Sequence, residues 1–195
     1  IESMPGTNGM QPNLSVVYNS QGGFGLLGQG WDISGISTIS RGAQNFYFDG
    51  IEGKIETTTV QFNSQDRLNL DGQQLILLNE VENFTVGAEY GTEVENYSRV
   101  KVHLSGAGHI YFVATTKEGQ TIEYGKTANS IVTNVNGGDS RILAWRVSRI
   151  TDVNGNSLEF EYTDKGQYIS KISYINNSIE FEYEVHSDFT FNLQP

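Results

Sequence analysis

The sequence of 195 residues contains no cysteine and only three prolines, Pro5, Pro12 and Pro195. The absence of cysteine excludes disulfide bonds and thiolate metal sites, but it leaves the redox compartment open. With so little proline, 22 glycines and many Asn and Asp residues serve as turn formers, which is typical of a chain with many tight hairpin turns. The length is enough to bury roughly 70% of the unfolded chain's surface, so a core can form without covalent staples.

Basic residues are scarce, since 12 Lys and Arg stand against 23 Asp and Glu and give a net charge of −11. This charge repels the phosphates of nucleic acids and of anionic lipids, so neither is an expected partner. Long apolar runs are also missing: the longest candidate is LILLNEV at Leu75–Val81, whereas a membrane helix needs about 20 residues. We therefore predict no membrane insertion by this segment.

Strand-like runs rich in β-branched and aromatic residues recur about every ten residues, each bounded by turn formers. Short turns such as SGAGH at Ser105–His109 favour antiparallel meanders. No amphipathic helix of three turns is evident, and the stretch Thr127–Ser140 is expected to be a loop. The predicted fold is all-β, with antiparallel hairpin meanders in a large twisted sheet. The predicted strands are Leu14–Tyr18, Ile36–Arg41, Asn45–Asp49, Thr58–Asn63, Gln74–Leu78, Tyr97–Leu104, His109–Thr115, Thr121–Tyr124, Leu143–Ile150, Ser157–Tyr162, Tyr168–Tyr174 and Ser178–Val185.

A short repeat occupies the last part of the chain, where LEFEY at Leu158–Tyr162 returns as IEFEY at Ile179–Tyr183. In both copies apolar and acidic residues alternate, which indicates half-buried strands. The segment is interpreted as strand, turn, strand, turn, strand. A unit this small normally stacks on further copies, and the chain starts at Ile1 without a signal sequence, so we expect it to be a segment of a larger protein.

The first 41 residues set glycines and small polar residues around a few large apolar ones. This stretch resembles the opening motif of the N-terminal domain shared by the SpvB virulence proteins and the B components of insecticidal Tc toxin complexes (TcaC-like proteins). In that family an extended PG-x-N-G…P-L-x-L-x-Y-x-S segment leads into a G-x-G-W…I-x-R unit. The matching residues are Pro5, Gly6, Asn8, Gly9, Pro12, Leu14, Tyr18 and Ser20, then Gly28, Gly30, Trp31, Ile39 and Arg41.

Later stretches also resemble the family, among them DRLNLDGQQL at Asp66–Leu75 and the D-x-x-G-N…Y pattern at Asp152–Tyr162. The final part is similar to tyrosine/aspartate (YD or Rhs) repeats, in which hairpins wind into a hollow β-shell around a toxic C-terminal polypeptide. The copies depart from that pattern, because Thr163 separates Tyr162 from the Asp that normally follows directly. We interpret residues 1–195 as one all-β segment, with an SpvB/TcaC-like N-terminal region at 1–140 and YD-repeat-like hairpins at 141–195.

The resemblance implies a non-catalytic structural segment of a secreted bacterial SpvB/Tc-type toxin, which contributes to a β-shell that encloses or delivers a C-terminal effector. Its implied partners are the rest of its parent chain and other toxin-complex subunits, its implied location is extracellular, and no cofactor is implied. We expect the motif residues to act as packing or turn positions. They are Pro5, Gly6, Asn8, Gly9, Tyr18, Gly30, Trp31, Arg41, Asp71, Gly72, Trp145, Asp152, Gly155, Tyr162 and Tyr183.

Three E-x-E pairs allow an enzymatic alternative. Such pairs resemble the catalytic E-x-E of ADP-ribosyltransferases, but in the resembled family that activity belongs to a separate C-terminal domain. Two carboxylates about 6–7 Å apart on one strand face are also compatible with an inverting glycosidase, although the sequence marks neither as buried. We favour solvated strand faces and no enzymatic activity. The pairs are Glu93/Glu95, Glu159/Glu161 and Glu180/Glu182.

A calcium loop is suggested by DVNGNSLEFEYT, which starts at Asp152 and ends at Thr163. The match fails at Ser157, where such loops have glycine, and at Thr163, where they have a bidentate Glu. An Asn- and Gly-containing turn explains the residues better. The three histidines also lack metal-ligand spacing, so no metal site is expected.

The competing interpretation is a secreted or cell-surface adhesion module that binds glycans or a host protein. Its exposed aromatics would include Tyr47, Tyr90, Tyr97 and Tyr111. The two tryptophans, Trp31 and Trp145, are instead interpreted as core anchors.

Overall fold

The computed structural model describes residues 1–21, 24–25, 27–44, 59–94, 96, 98–133, 141–163 and 166–184. These residues form sixteen β-strands and two short 3-10 turns, at Thr7–Gly9 and Ala128–Ser130, and none of them forms an α-helix, so the predicted all-β class is confirmed. No helix in the described ranges is long and apolar enough to cross a membrane. The strands are β1 (Ser15–Tyr18), β2 (Phe24–Gly25), β3 (Gly28–Gln29), β4 (Trp31–Ser34), β5 (Thr38–Gly42), β6 (Arg67–Leu70), β7 (Gln73–Leu77), β8 (Glu89–Thr92), β9 (Arg99–Leu104), β10 (Ile110–Thr115), β11 (Thr121–Tyr124), β12 (Ile131–Thr133), β13 (Ile142–Thr151), β14 (Ser157–Thr163), β15 (Tyr168–Tyr174) and β16 (Asn177–Glu180).

Eight of these strands close into a barrel. Strands β5 to β11 pair in sequence order, and β13 pairs with both β5 and β11. Every pairing is antiparallel, as predicted. The strand β9 illustrates how alternation along the sequence gives a barrel strand its two faces: Val100 and Val102 are buried, while Lys101 between them is exposed. The closure itself was not predicted, since it depends on pairing between strands far apart in sequence.

The strand β13 is ten residues long, and each of its edges serves two partners. Its first half pairs with β5 through Trp145 and Ile39, and its second half pairs with β14 through Arg149 and Glu159. On the other edge, β12 pairs with the first half and β11 with the second. The barrel therefore continues without a break into the hairpin extension, which consists of β14, β15 and β16.

The hairpin extension has the three antiparallel strands that the repeat predicts, but the predicted strand Ser178–Val185 ends early, because β16 stops at Glu180 and contains only the start of the second copy. Strands β14, β15 and β16 form an antiparallel meander. In β14 the side chains of Leu158, Phe160 and Tyr162 are buried, and those of Glu159 and Glu161 are exposed. The E-x-E pattern therefore belongs to a solvated strand face here.

Trp145 is the largest fully buried side chain and lies in the core. Its Nε1–H donates to the Ile110 carbonyl oxygen at 2.9 Å, and the Phe112 ring meets it edge-on with centroids 4.8 Å apart. Gly125 lies against the indole, where an added Cβ would be 2.2 Å from Trp145 Cδ1. Only glycine fits at that point without displacing the core.

Several predicted boundaries differ from the structure. The predicted strand Thr58–Asn63 is wrong over its described residues 59–63, where bends and a φ of 59° at Phe62 interrupt an extended backbone. The predicted strand Asn45–Asp49 lies outside the described residues. The predicted loop Thr127–Ser140 is wrong at residues 131–133, which form β12 and pair with β13, and residues 134–140 lie outside the described residues. The short strands β2, β3, β4, β6 and β8 were missed.

Candidate interaction surface

The N-terminal segment, residues 1–14, is folded back on itself. The amino group of Ile1 donates to the Leu14 carbonyl oxygen at 2.9 Å, and the Leu14 side chain is buried in the core. Position 6 must be glycine, since a Cβ there would be 1.7 Å from the Met10 carbonyl oxygen. Asn8 and Gly9 turn the chain with φ values of 56° and 77°. Pro5 is exposed at the surface of this segment.

This segment also joins the barrel to the hairpin extension. The Tyr174 hydroxyl donates to the Met4 carbonyl oxygen at 3.1 Å, and the side-chain amide of Asn8 donates to Asp152 Oδ2 at 3.4 Å. On the barrel side, the Gln120 amide lies 3.9 Å from the sulfur of Met10. Asn8 is thus the motif residue of this segment whose side chain contacts the turn between the barrel and the hairpin extension.

Asp152 organises the turn between β13 and β14. Its Oδ1 accepts the backbone N–H groups of Asn154 and Asn156 at 2.9 and 2.8 Å, and its Oδ2 accepts the Asn156 side-chain amide at 2.8 Å. Gly155 completes the turn with a φ of 86°. The hydrogen bond from the Asn156 side chain is the largest cause that lowers the pKa of Asp152. The carboxylate oxygens therefore face donors of the turn, as the sequence interpretation expects.

Arg41 reaches into one end of the barrel, where its Nη1 lies 3.1 Å from Asp66 Oδ2. The Asp66 side chain is 2% exposed. The Arg41 Nε–H donates to the Ile142 carbonyl oxygen at 3.0 Å, and the guanidinium lies 3.8 Å from the centroid of the Phe84 ring. Burial lowers the pKa of Arg41, and the nearby Asp66 carboxylate opposes that shift.

Sequence reasoning missed Asp66 as the partner of Arg41. The available signal was the DR dipeptide that opens DRLNLDGQQL, in which Asp66 directly precedes β6, the strand that pairs with β5. The same stretch contains Asp71 and Gly72, which turn β6 into β7 with φ values of 49° and 83°. Asp71 additionally accepts the Ser37 hydroxyl at 2.6 Å, so this turn is tied to the strand entering the barrel.

Two motif tyrosines bind backbone carbonyls within and beside the hairpin extension. The Tyr162 hydroxyl donates to the Val147 carbonyl oxygen and the Tyr183 hydroxyl to the Ile169 carbonyl oxygen, both at 2.7 Å. Burial raises the pKa of both hydroxyls. Both tyrosines therefore act as anchors between neighbouring strands.

Glu123, Glu159 and Glu161 line one surface pocket, together with Lys126 and Arg149, which pair with Glu123 and Glu159. Glu159 pairs with Arg149, and Glu180 lies 3.0 Å from Lys171, so both face solvent in cross-strand ion pairs. Within the same ranges, no group of three or more His, Asp or Glu side chains could hold a metal ion. Glu95, the second member of the first E-x-E pair, lies outside the described residues.

Of the four aromatics proposed for adhesion, the structure describes Tyr90 and Tyr111, and neither is exposed. Tyr90 is 1% exposed, and its hydroxyl donates to Asn83 Oδ1 at 2.8 Å inside the barrel end. Tyr111 is half-buried beside His103, with ring centroids 5.4 Å apart. Tyr47 and Tyr97 lie outside the described residues. The interpretation of Tyr90 as an exposed binding residue is therefore wrong.

The exposed aromatic pair lies elsewhere, on a two-stranded ribbon formed by β1 and β4, which we call the aromatic ribbon. Tyr18 and Trp31 are cross-strand partners with ring centroids 4.9 Å apart, and they are 59% and 45% exposed. The expectation that Trp31 is a core anchor is wrong, because an alternating apolar pattern looks the same on a core strand and on an exposed one. Gly30 holds the turn beside them with a φ of 77°, and a Cβ there would be 2.8 Å from the Tyr18 ring.

The aromatic ribbon has one covered edge and one open edge. The Asn19 N–H donates to the Gly30 carbonyl oxygen, which fixes the alternation of the ladder and points the backbone groups of Val16 and Tyr18 away from β4. On the β4 side, the Trp31 carbonyl oxygen accepts the Leu27 N–H at 3.3 Å. Within the described part of the chain, β1 pairs only with β4, so its outer edge is unpaired.

The chain is similar to a known protein family in sequence and to known structures in fold. A protein-family model described as "Salmonella virulence plasmid 65kDa B protein" (SpvB) matches residues 1–187. The N-terminal domain of effector protein SpvB from Salmonella typhimurium strain LT2 matches with a TM-score of 0.64 and 19% identity, over 86% of this chain and 60% of that one. No curated protein sequence matches the chain.

Toxin-complex structures share the fold as well. A crystal structure of TcdB2-TccC3-Cdc42 matches with a TM-score of 0.64 and 16% identity, over 85% of this chain and 9% of that one. The Photorhabdus luminescens Tc holotoxin pore matches with a TM-score of 0.63 and 16% identity, over 84% of this chain and 8% of that one. The chain thus spans 60% of the SpvB domain structure and less than a tenth of the Tc chains.

Proposed function

The chain belongs to the SpvB family, and from this premise we propose that it is a non-catalytic structural domain of a secreted SpvB/Tc-type toxin. In this role the barrel is a rigid base, and the hairpin extension is the start of a YD/Rhs-like β-shell that encloses or delivers a C-terminal effector. The partners are the remainder of the toxin polypeptide and other toxin-complex subunits, and the location is extracellular. The domain needs no cofactor for this role.

The observation that carries the proposal is the hairpin extension and its outer edge. Because the Phe181 N–H donates to the Ser170 carbonyl oxygen, the ladder alternation directs the backbone groups of Ser178 and Glu180 away from β15. In the described residues β16 pairs with β15 alone. A sheet that ends in such an edge can be extended by another antiparallel hairpin.

The two faces of the extension suit a shell wall. One face buries Leu158, Phe160 and Tyr162, and the other carries Glu159 and Glu161 in solvent. Ion pairs such as Lys171–Glu180 link neighbouring strands on the polar face. A hydrated, mostly acidic face can line a compartment without binding its contents through apolar contacts.

The test is limited proteolysis of the complete natural polypeptide that carries this sequence, compared with Ser178→Pro and Ser178→Thr variants. Proline at residue 178 removes an N–H that points outward, so it blocks extension of the sheet without removing a β15–β16 hydrogen bond. Threonine keeps that N–H and serves as the matched control. We expect the region after the repeats to resist the protease in wild type and Ser178→Thr and to be cleaved in Ser178→Pro. Immediate cleavage of that region in all three proteins would contradict the proposal.

A further inference from the structure

We propose that the outer edge of β1 in the aromatic ribbon is a strand-addition site, occupied by an extended β-strand from elsewhere in the toxin polypeptide. The inference rests on the proposed function for the source of the strand. The proposed site is the edge of β1, in the N-terminal part of the chain, and not the edge of β16.

The first argument is the spacing of unused backbone groups. The N–H and C=O groups of Val16 and Tyr18 point away from β4, and the described structure gives them no hydrogen-bond partner. Alternate residues of a strand lie about 6.8 Å apart, so these four groups match another extended strand and not a helix or a small ligand. The opposite edge of the ribbon is already covered, because the Ile33 N–H donates to Asp32 Oδ1 at 2.8 Å and Trp31 accepts from Leu27.

The second argument is the side-chain face that accompanies this edge. Cross-strand pairing places Val16 with Ile33 and Tyr18 with Trp31 on the same face, which carries no charged group. Ile33 packs against the core at one end, whereas Val16, Tyr18 and Trp31 are each more than 40% exposed. The side chains fit an occupant with apolar residues at alternate positions, since a charged strand would lose hydration here without gaining a partner.

The third argument concerns the source of the strand. In the matched structures the aligned region is 60% of the SpvB domain chain and 8 to 9% of the Tc chains, so those relatives contain much polypeptide beyond it. Burial is the largest cause that raises the pKa of Tyr183, and the Asp32 carboxylate of the ribbon contributes to the rise, so Tyr183 at the end of the described chain lies near Asp32. A strand that follows the hairpin extension therefore needs no long connection to reach β1.

The experiment is amide hydrogen exchange of residues 15–18 in the 195-residue chain and in the complete natural polypeptide. We expect the Val16 and Tyr18 amides to exchange at least about 100-fold more slowly in the complete polypeptide, because a paired strand protects them. The Val17 amide pairs with Asp32 and should be protected in both proteins, so it reports an intact ribbon. Equally fast exchange of Val16 and Tyr18 in both proteins would overturn the inference.

Two variants test whether the edge of β1 is the site, and two further measurements identify its occupant. Val16→Pro removes an outward N–H, and Val16→Thr keeps it; only the proline variant should abolish the added protection of Tyr18. Protection that already exists in the 195-residue chain contradicts the assignment. If it grows with protein concentration, a second copy occupies the edge, and if it is lost on deletion of residues 185–195, the chain's own last segment does.

The two proposals fail separately. If the effector stays protease-resistant while the Tyr18 amide exchanges fast, only the proposal of a strand-addition site is refuted. If the Tyr18 amide exchanges slowly while the effector is cleaved at once, the proposed shell function is refuted and the proposed strand addition still stands.

Discussion

Arg41 and Asp66 form an ion pair of 3.1 Å inside one end of the barrel, with side chains that are 11% and 2% exposed. Arg41 lies on β5, and Asp66 directly precedes β6, which pairs with β5. The ion pair therefore joins the segment before β6 to β5. The backbone N–H of Gln61 also donates to Asp66 at 2.7 Å, which ties the irregular stretch before β6 to the same carboxylate.

Breaking this pair from one side should be costly. In Asp66→Asn the Arg41 cation stays buried without its anion, and we expect a loss of about 3–5 kcal/mol in the free energy of unfolding. The double variant Arg41→Met/Asp66→Asn should lose less than the sum of the single variants, because no unpaired charge remains. The exposed pair Lys101–Glu89 is the control, and Lys101→Ala should cost less than about 1 kcal/mol. Urea unfolding of the wild type and the four variants, Arg41→Met included, measures these losses, and equal losses at Asp66 and Lys101 would contradict the structural role of the buried pair.

The turn between β15 and β16 contains a residue that does not suit its backbone. Ile175 is exposed and has a φ of 52°, a region in which a β-branched side chain is strained. Ile175→Asn should raise the free energy of unfolding by about 1 kcal/mol, since asparagine tolerates this conformation. Val153 is an exposed turn residue without a positive φ, and Val153→Asn should bring no such gain. Thermal unfolding compares the two, and a gain at Val153 but not at Ile175 would refute the explanation.

Gly125 tests the packing around Trp145. Gly125→Ala adds a Cβ 2.2 Å from Trp145 Cδ1 at a φ of 69°, so it combines backbone strain with overlap in the core. We expect a loss of more than about 3 kcal/mol. Gly155→Ala is the matched control, because its φ is 86° but nothing lies within 4 Å of the added Cβ; it should cost about 1–2 kcal/mol. Similar losses for both, measured by urea unfolding, would show that overlap with the indole contributes nothing.

Asp152 should make the stability depend on pH in the acid range. Its pKa in the folded protein lies below the usual 3.8, so its stabilisation is present above that value and is lost as the pH falls through the folded pKa. The stability difference between wild type and Asp152→Asn should therefore be larger at neutral pH than in acid, where the protonated carboxyl resembles the amide. Asn156→Ala removes the main cause of the shift and should weaken this dependence. Unfolding curves across the acid range decide the matter, and a pH-independent difference would disprove it.

Much of the fold follows from local sequence. Alternation within Leu158–Tyr162 predicts which side chains are buried, and turn formers such as Asp71–Gly72 predict the hairpin positions. Closure of the barrel could not be predicted, because β13 pairs with β5, about a hundred residues earlier, and no local pattern encodes that distance. The strand β8 was missed because EYGT lacks a run of β-branched residues, although Tyr90, Gly91 and Thr92 are all buried.

The candidate surface was harder to predict than the fold. Trp31 was expected to be a core anchor and Tyr18 to act as a packing or turn position, and alternation alone cannot tell a strand that faces the core from one that faces solvent. Arg41 was identified by resemblance, but its partner Asp66 depends on the barrel bringing β5 and β6 together. The contact between Arg41 and Asp66 therefore follows from strand pairing and not from a local sequence pattern.

The central claim is that the hairpin extension continues into a shell, and a cryo-EM map of the complete natural polypeptide tests it most directly. The account predicts that β16 is paired on both edges, that the sheet continues into a hollow wall, and that the face of Glu159 and Glu161 lines the enclosed space. A map in which the barrel and extension stand apart, with the β16 edge in solvent and no enclosing wall, would contradict it.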